Sequence, residues 1–114
     1  MRAYESLIIF DPSCSNDDVE QEINKLTEIV TNEKGKVIEV NRWGKKKLSF
    51  RINKKNMGNF VAFQFFLLPE KIGAFKEYFK FNDMVLRNNL MRVEIEIEIP
   101  YDSYEDEIEG EKHE

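Results

Sequence analysis

The segment from Phe60 to Leu68, Phe-Val-Ala-Phe-Gln-Phe-Phe-Leu-Leu, is apolar at every position except Gln64. It is far shorter than the ~20 apolar residues a membrane helix needs. A run apolar on both alternating faces fits a central strand of a sheet, covered on two sides. The rest of the chain must therefore supply flanking strands and a covering layer. Residues 3–10, Ala-Tyr-Glu-Ser-Leu-Ile-Ile-Phe, read as a second apolar strand, broken by Asp11-Pro12-Ser13.

The covering layer has a clear helical signature. Ser15 is placed as an N-cap with Asp18 three positions later, the pattern of a capping box, and Asp17 and Asp18 suit the positive helix end. Val19, Ile23, Leu26 and Val30, flanked by Ile29, then recur at helical spacing and predict one apolar face over about four turns. Lys34-Gly35 ends the helix, with Gly35 as the expected left-handed cap. Pro69 suits the first turn of a second helix, whose face is Ile72, Phe75 and Phe79 with Tyr78 beside it, and Asn82-Asp83 stops it.

Between the helices, residues 36–52 read as a long extended segment. Gly44 marks a bulge or bend, and Leu48, Phe50 and Ile52 alternate with Ser49 and Arg51 as in a half-buried strand. Residues 53–59 read as a hairpin connection. Val85 to Ile99 is the last extended stretch, strictly alternating from Val93 to Ile99 and closed by Pro100. The order β-α-β-β-α-β predicts an α+β fold of the ferredoxin-like split β-α-β class, a four-stranded antiparallel sheet with two helices on one face. Strands one and three are central in that fold, which suits the two most apolar segments. The expected organisation is one domain over residues 1–100 and an acidic, disordered tail over 101–114.

Charge is distributed unevenly. The net charge is −5, but residues 101–114 hold seven acids against one base, so the body is nearly neutral. Within that body, Arg42 to Lys55 carries seven bases (Arg42, Lys45, Lys46, Lys47, Arg51, Lys54, Lys55) and no acid. Dense cations interleaved with aromatics suit a nucleic-acid backbone, with Trp43 placed to stack on a base or sugar. The competing explanation is that lysines on an edge strand prevent strand-to-strand aggregation.

Catalytic chemistry has little to stand on. His113 is the single histidine and lies in the tail, so a histidine-based acid/base or metal site in the body is excluded. Cys14 is the single cysteine, which rules out an intrachain disulfide or a Cys-x-x-Cys site and fits a reducing compartment. Phosphate-binding loops, dinucleotide fingerprints and nucleophile elbows are missing. The opening residues lack a signal-peptide core. No enzyme, cofactor, metal, membrane or small-molecule substrate is expected.

Gly58-Asn59-Phe60-Val61-Ala62-Phe63 overlaps in part the strand by which RNA-recognition motifs stack bases, although Gly58 stands where the motif has its first exposed aromatic. Phe60 and Phe66 fall on one face of that strand, and Phe63, Phe65 and Leu67 on the other. One face must cover the helices; the other still carries bulky apolar groups, here Leu7, Ile9, Phe60 and Phe66, which points to a docked protein partner.

Three separated stretches resemble the bacterial ribosomal small-subunit protein six family: Met1-Arg2-Ala3-Tyr4-Glu5, Trp43 to Lys54, and Phe81 to Arg87 with Leu90-Met91-Arg92. The family's usual Leu-Ala-Tyr-Pro-Ile reads Leu48-Ser49-Phe50-Arg51-Ile52 here. The resemblance implies a non-enzymatic structural constituent of the small ribosomal subunit. It would bind the central domain of the small-subunit rRNA together with small-subunit ribosomal protein eighteen during assembly, in a cytoplasmic, ribosome-associated setting, with an organellar ribosome left open. Arg2, Arg42, Lys45, Lys46 and Lys47 would neutralise phosphates, Tyr4 and Trp43 would stack or contact sugars, and Arg87 and Arg92 match positions near the partner and RNA surfaces. The alternatives are a free-standing single-stranded RNA binder using the open sheet face, and a small-molecule-sensing ferredoxin-like oligomer.

Overall fold

The computed structural model describes residues 1–94. The chain forms β1 (Arg2–Phe10), α1 (Asn16–Asn32), β2 (Lys36–Ile52), β3 (Lys55–Leu67), a 3-10 turn (Pro69–Lys71) that leads into α2 (Ile72–Tyr78), and β4 (Val85–Arg92). The sheet order is β2-β3-β1-β4, with all pairs antiparallel. This is the ferredoxin-like arrangement expected from the order of elements, with β1 and β3 central.

Alternation along β1 sorts the two faces. Tyr4, Ile8 and Phe10 join Val61, Phe63, Phe65 and Leu67 of β3 in the main core, which is closed by Val19, Ile23, Leu26 and Val30 of α1 and Phe75 of α2. Each of the four α1 residues predicted for the apolar face is buried. Phe65 and Phe75 stack with centroids 4.4 Å apart, which fixes α2 on the sheet. Ser6 is fully buried in the middle of this face, and its hydroxyl donates to the Asn88 side-chain Oδ1 on β4, so the polar group is satisfied.

The first helix begins as predicted. The Asp18 N–H donates to Ser15 Oγ at 3.0 Å, and the Ser15 N–H donates to Asp18 Oδ2 at 3.0 Å. Its end differs. Lys34, not Gly35, takes the left-handed backbone, at φ 68°. Gly35 is needed for another reason: a Cβ there would lie 2.4 Å from the Phe66 carbonyl oxygen and 2.9 Å from Val30 Cγ1. The glycine lets the chain pass closely between α1 and the sheet.

The hairpin is tighter than expected. Residues 55–59 belong to β3, and only Asn53 and Lys54 turn the chain, both at positive φ, 51° and 66°. Such a two-residue turn matches the twist of its strands. β4 stops at Arg92. Val93 and Glu94 lie beyond it, although the Val93 N–H still donates to the Ala3 carbonyl at 3.0 Å. The expected alternation over 95–99, the domain end at 100 and the acidic segment 101–114 lie outside the described residues.

Candidate nucleic-acid interface

The ladder between β1 and β3 ends at the pair Phe10–Asn59, while β2 and β3 continue past it to Lys55. The basic segment therefore starts within the sheet, with Arg42 to Lys45 opposite residues of β3 that also pair with β1, and from Lys46 onward it sits on a two-stranded arm beyond the end of β1. Its register shifts three times, between Val37 and Glu39, between Arg42 and Gly44, and between Lys47 and Ile52. Gly44 at φ 83° forms the second of these, the bulge that its position predicts.

The seven bases have different roles. Arg42 is held by Glu20 of α1, Nε to Oε2 and Nη2 to Oε1, the latter at 2.9 Å; this bond lowers the Glu20 pKa and raises that of Arg42. Lys55 donates to Asp11 Oδ2 at 3.0 Å. The Ser13 backbone N–H and hydroxyl, with Lys55, hold the Asp11 carboxyl down at about 2. These two cations fasten the arm to the body. Lys45, Lys46, Lys47, Arg51 and Lys54 are exposed and have no acidic partner among the described residues.

The aromatic groups are also redistributed. Trp43 is 47% exposed and stacks on Phe60, with centroids 5.9 Å apart and planes 9° from parallel. Tyr4 is 7% exposed and stacks on Phe65 inside the main core. Its place on the helix-covered face removes it as a base-stacking platform, a correction to the sequence expectation. Phe50 was expected to alternate inward with Leu48 and Ile52. Instead it is 59% exposed, with the Arg87 guanidinium 5.2 Å from its ring centre. The third register shift explains this: the segment opposite Asn56 departs from period two.

That same segment covers part of the open sheet face. Leu48 and Ile52 fold onto Ile9, with Phe60 and Leu86 packed around them. Ile9 is only 8% exposed, so this member of the expected docking patch is covered by the chain itself. Leu7, Phe60 and Phe66 remain half-buried on that face. Gly58 is the price of the small cluster, because a Cβ there would lie 2.4 Å from Ile9 Cγ2. This explains why the RNA-recognition motif's exposed aromatic has no counterpart at position 58.

The predicted arginines fall into two places. Arg87 joins Lys47 around a groove on the open face. Arg2 and Arg92 line a groove of about 390 Å³ with Met1, Ala3, Val93 and Glu94 at the opposite end of β1. Arg87 pairs with Ile9 and Arg92 with Tyr4, so about 17 Å of strand separates the sets. Phe50 is a site candidate that the sequence did not single out, and Arg51 and Lys54, counted in the basic run, were not among the expected rRNA contacts. Phe50 was hidden by an apparent alternation, although the acid-free charge run around it was the available signal.

Other chemistry stays in the background. Cys14 is buried, and burial pushes its thiol pKa up, away from reactivity. No cluster of metal-ligating side chains occurs among the described residues, and no described helix is long and apolar enough to cross a membrane.

Comparison with known proteins settles the family. The sequence profile described as Ribosomal protein S6 matches residues 3–92. The chain belongs to the ribosomal protein S6 family. It is 34% identical over 94 residues to small ribosomal subunit protein bS6 of Corynebacterium efficiens, covering 82% of this chain and 99% of that one. It is 35% identical over 92 residues to the bS6 protein of Corynebacterium jeikeium, covering 81% and 97%. The crystal structure of 30S ribosomal protein S6 from Thermotoga maritima superimposes with a TM-score of 0.76 over 96% of both chains, at 22% identity, and shows the same fold. As an S6-family member the chain is a structural protein of the small ribosomal subunit and not an enzyme.

Proposed function

We propose that the chain binds the central domain of the small-subunit rRNA as one half of a pair with small-subunit ribosomal protein eighteen, within the cytoplasmic ribosome. The observation that carries this reading is the division of labour in the basic arm. Two of its seven cations are spent on Glu20 and Asp11, and five are left exposed beside two exposed aromatic rings. Phosphate neutralisation and stacking need that combination. Edge defence needs less, because three register shifts already make β2 a poor template for another strand.

The need for a partner follows from the small number of free cations and from the half-buried apolar groups on the open face. Five phosphate contacts give modest affinity at physiological salt. A basic partner seated on Leu7 and Phe66 would add both apolar burial and charge. Residues 1–100 would form the binding domain, with the acidic segment 101–114 outside it.

The test is binding of a central-domain rRNA fragment by the chain alone, by protein eighteen alone and by the equimolar mixture. The expected result is weak binding by the single chain and tight binding by the mixture. Tight, sequence-specific binding by the isolated chain would instead favour a free-standing single-stranded RNA binder.

A further inference from the structure

The looped segment of β2, the open face of β1 and β3, and the edge strand β4 enclose a groove of about 310 Å³. Its floor is Ile9 and Phe60, one wall is Leu48 and Phe50, and its ionisable lining groups are Lys47 and Arg87. Among the described residues, no carboxylate lines it. We propose that this groove is a single-nucleotide subsite, in which an unstacked RNA base lies against Phe50 over the Ile9–Phe60 floor and its phosphate sits between Lys47 and Arg87.

Three observations favour a nucleotide. The groove's volume is at the lower end of the range for small-ligand sites, about 300 Å³, which suits one planar group. Its charge is wholly positive, and Arg51 and Lys54 lie exposed on the same arm, so an anion-linked aromatic is the complementary occupant. Arg87 already sits over the Phe50 ring within the ~6 Å reach of a cation–π contact, and a planar guanidinium and an aromatic ring are both surfaces on which bases stack. An apolar protein side chain would fit the floor but leave both cations without a partner. The subsite rests on the RNA-binding reading above and gives it a base-contacting residue, Phe50.

The full-length chain is titrated at low salt with labelled hexauridylate and hexaadenylate, with inorganic polyphosphate as a base-free polyanion. Phe50→Ala should weaken both hexanucleotides roughly 5- to 150-fold, the factor associated with one base–aromatic stack, and Phe50→Tyr should restore them. Polyphosphate binding should change less than twofold. Because Phe50 is largely exposed, the thermal melt of Phe50→Ala should stay close to that of the parent. Equal loss of polyphosphate and hexanucleotide binding would overturn the subsite. So would a Phe50→Ala variant that binds both hexanucleotides as the parent does but no longer binds small-subunit ribosomal protein eighteen. A Lys45→Ala/Lys46→Ala variant separates the two levels: if it weakens RNA binding while Phe50→Ala does not, the subsite falls and the RNA reading stands. If neither variant weakens RNA binding, the RNA reading itself falls.

Discussion

Trp43 lies almost flat against Phe60, with 9° between the rings and 5.9 Å between their centres, although the two residues belong to different strands and Trp43 is nearly half exposed. The indole is therefore held against Phe60 while nearly half of the residue stays open to solvent. A ring held in this way has little orientation left to lose when a base stacks on it.

Trp43 is the single tryptophan, so its emission reports directly on that exposed surface. Adding rRNA fragment with the partner should quench it and protect it from iodide. Trp43→Leu should lower RNA affinity several-fold, within the roughly 1–3 kcal/mol attributed to one stack, with a smaller loss of stability, about 0.5–1.5 kcal/mol, from the lost ring pair. Unchanged emission on saturation would remove Trp43 from the interface.

Lys45, Lys46 and Lys47 should act as phosphate contacts without a structural role. Replacing all three by Ala should leave the melting temperature nearly unchanged and reduce the logarithmic salt slope of RNA binding by about 2, at roughly 0.7–0.9 per contact. Arg42→Ala should behave differently, because its guanidinium is engaged by Glu20. Its salt slope should barely move, and its stability should fall only by the ~0.2–1 kcal/mol typical of an exposed pair.

The Asp11–Lys55 pair gives a pH signature. Asp11 is held at about 2 in the folded protein against 3.8 ordinarily, so its contribution is complete above pH ~4 and is lost as pH falls toward 2. Asp11→Asn should therefore be less stable than the parent at pH 7, and the gap should close between about pH 4 and pH 2. Urea unfolding at a series of pH values measures it; a gap independent of pH would assign the loss to packing.

Glu22 and Tyr78 tie α1 to α2. Burial pushes the Glu22 carboxyl pKa up, but hydrogen bonds from Tyr78, Lys25 and Asn82 outweigh it and hold the pKa below the usual carboxylate range. Tyr78→Phe should cost about 1–3 kcal/mol, because the buried carboxylate loses a donor. With that donor gone the folded-state Glu22 pKa rises toward its unfolded value, so less stability is lost on acidification and the gap to the parent should narrow from pH 7 to pH 4. Chemical denaturation at pH 7 and pH 4 tests both.

The acidic segment 101–114 carries a net −6 and can compete for the basic arm. Its removal should strengthen RNA binding at low salt, with most of the gain gone at 0.1 M, where screening acts over about 10 Å. Weaker binding after truncation would mean that the segment makes RNA or partner contacts of its own.

Most of the fold was legible in the sequence because its signals were local and agreed. The Ser15–Asp18 box, the Val19–Ile23–Leu26–Val30 face and the apolar Phe60–Leu68 run each specify one element, and their order leaves few topologies. What escaped depends on contacts between distant residues. Gly35 looks like a cap until the approach of Phe66 is seen, and Phe50 looks inward until the register shift turns it outward. Tyr4 and Trp43 are both aromatic neighbours of cations in the sequence, but only the sheet face on which each lies separates the buried ring from the exposed one. Likewise, Arg42 and Lys45 are equivalent by charge, and only the placement of α1 shows that one is already paired.

The position of β1 between β3 and β4 carries a cost in time. Ser6 is bonded to Asn88, 82 positions further on, and every other residue of the first strand in the main core waits for a partner from the second half of the chain. A growing polypeptide that has reached Leu67 can form the β2–β3 hairpin and one side of β1, but it leaves the other edge of β1 bare until Arg92 has been made. Such non-local closure slows folding and exposes a sticky edge during synthesis. The final eight-residue strand is thus the step that commits the molecule, and a chain ending at Tyr78 would be expected to aggregate rather than persist as a smaller domain.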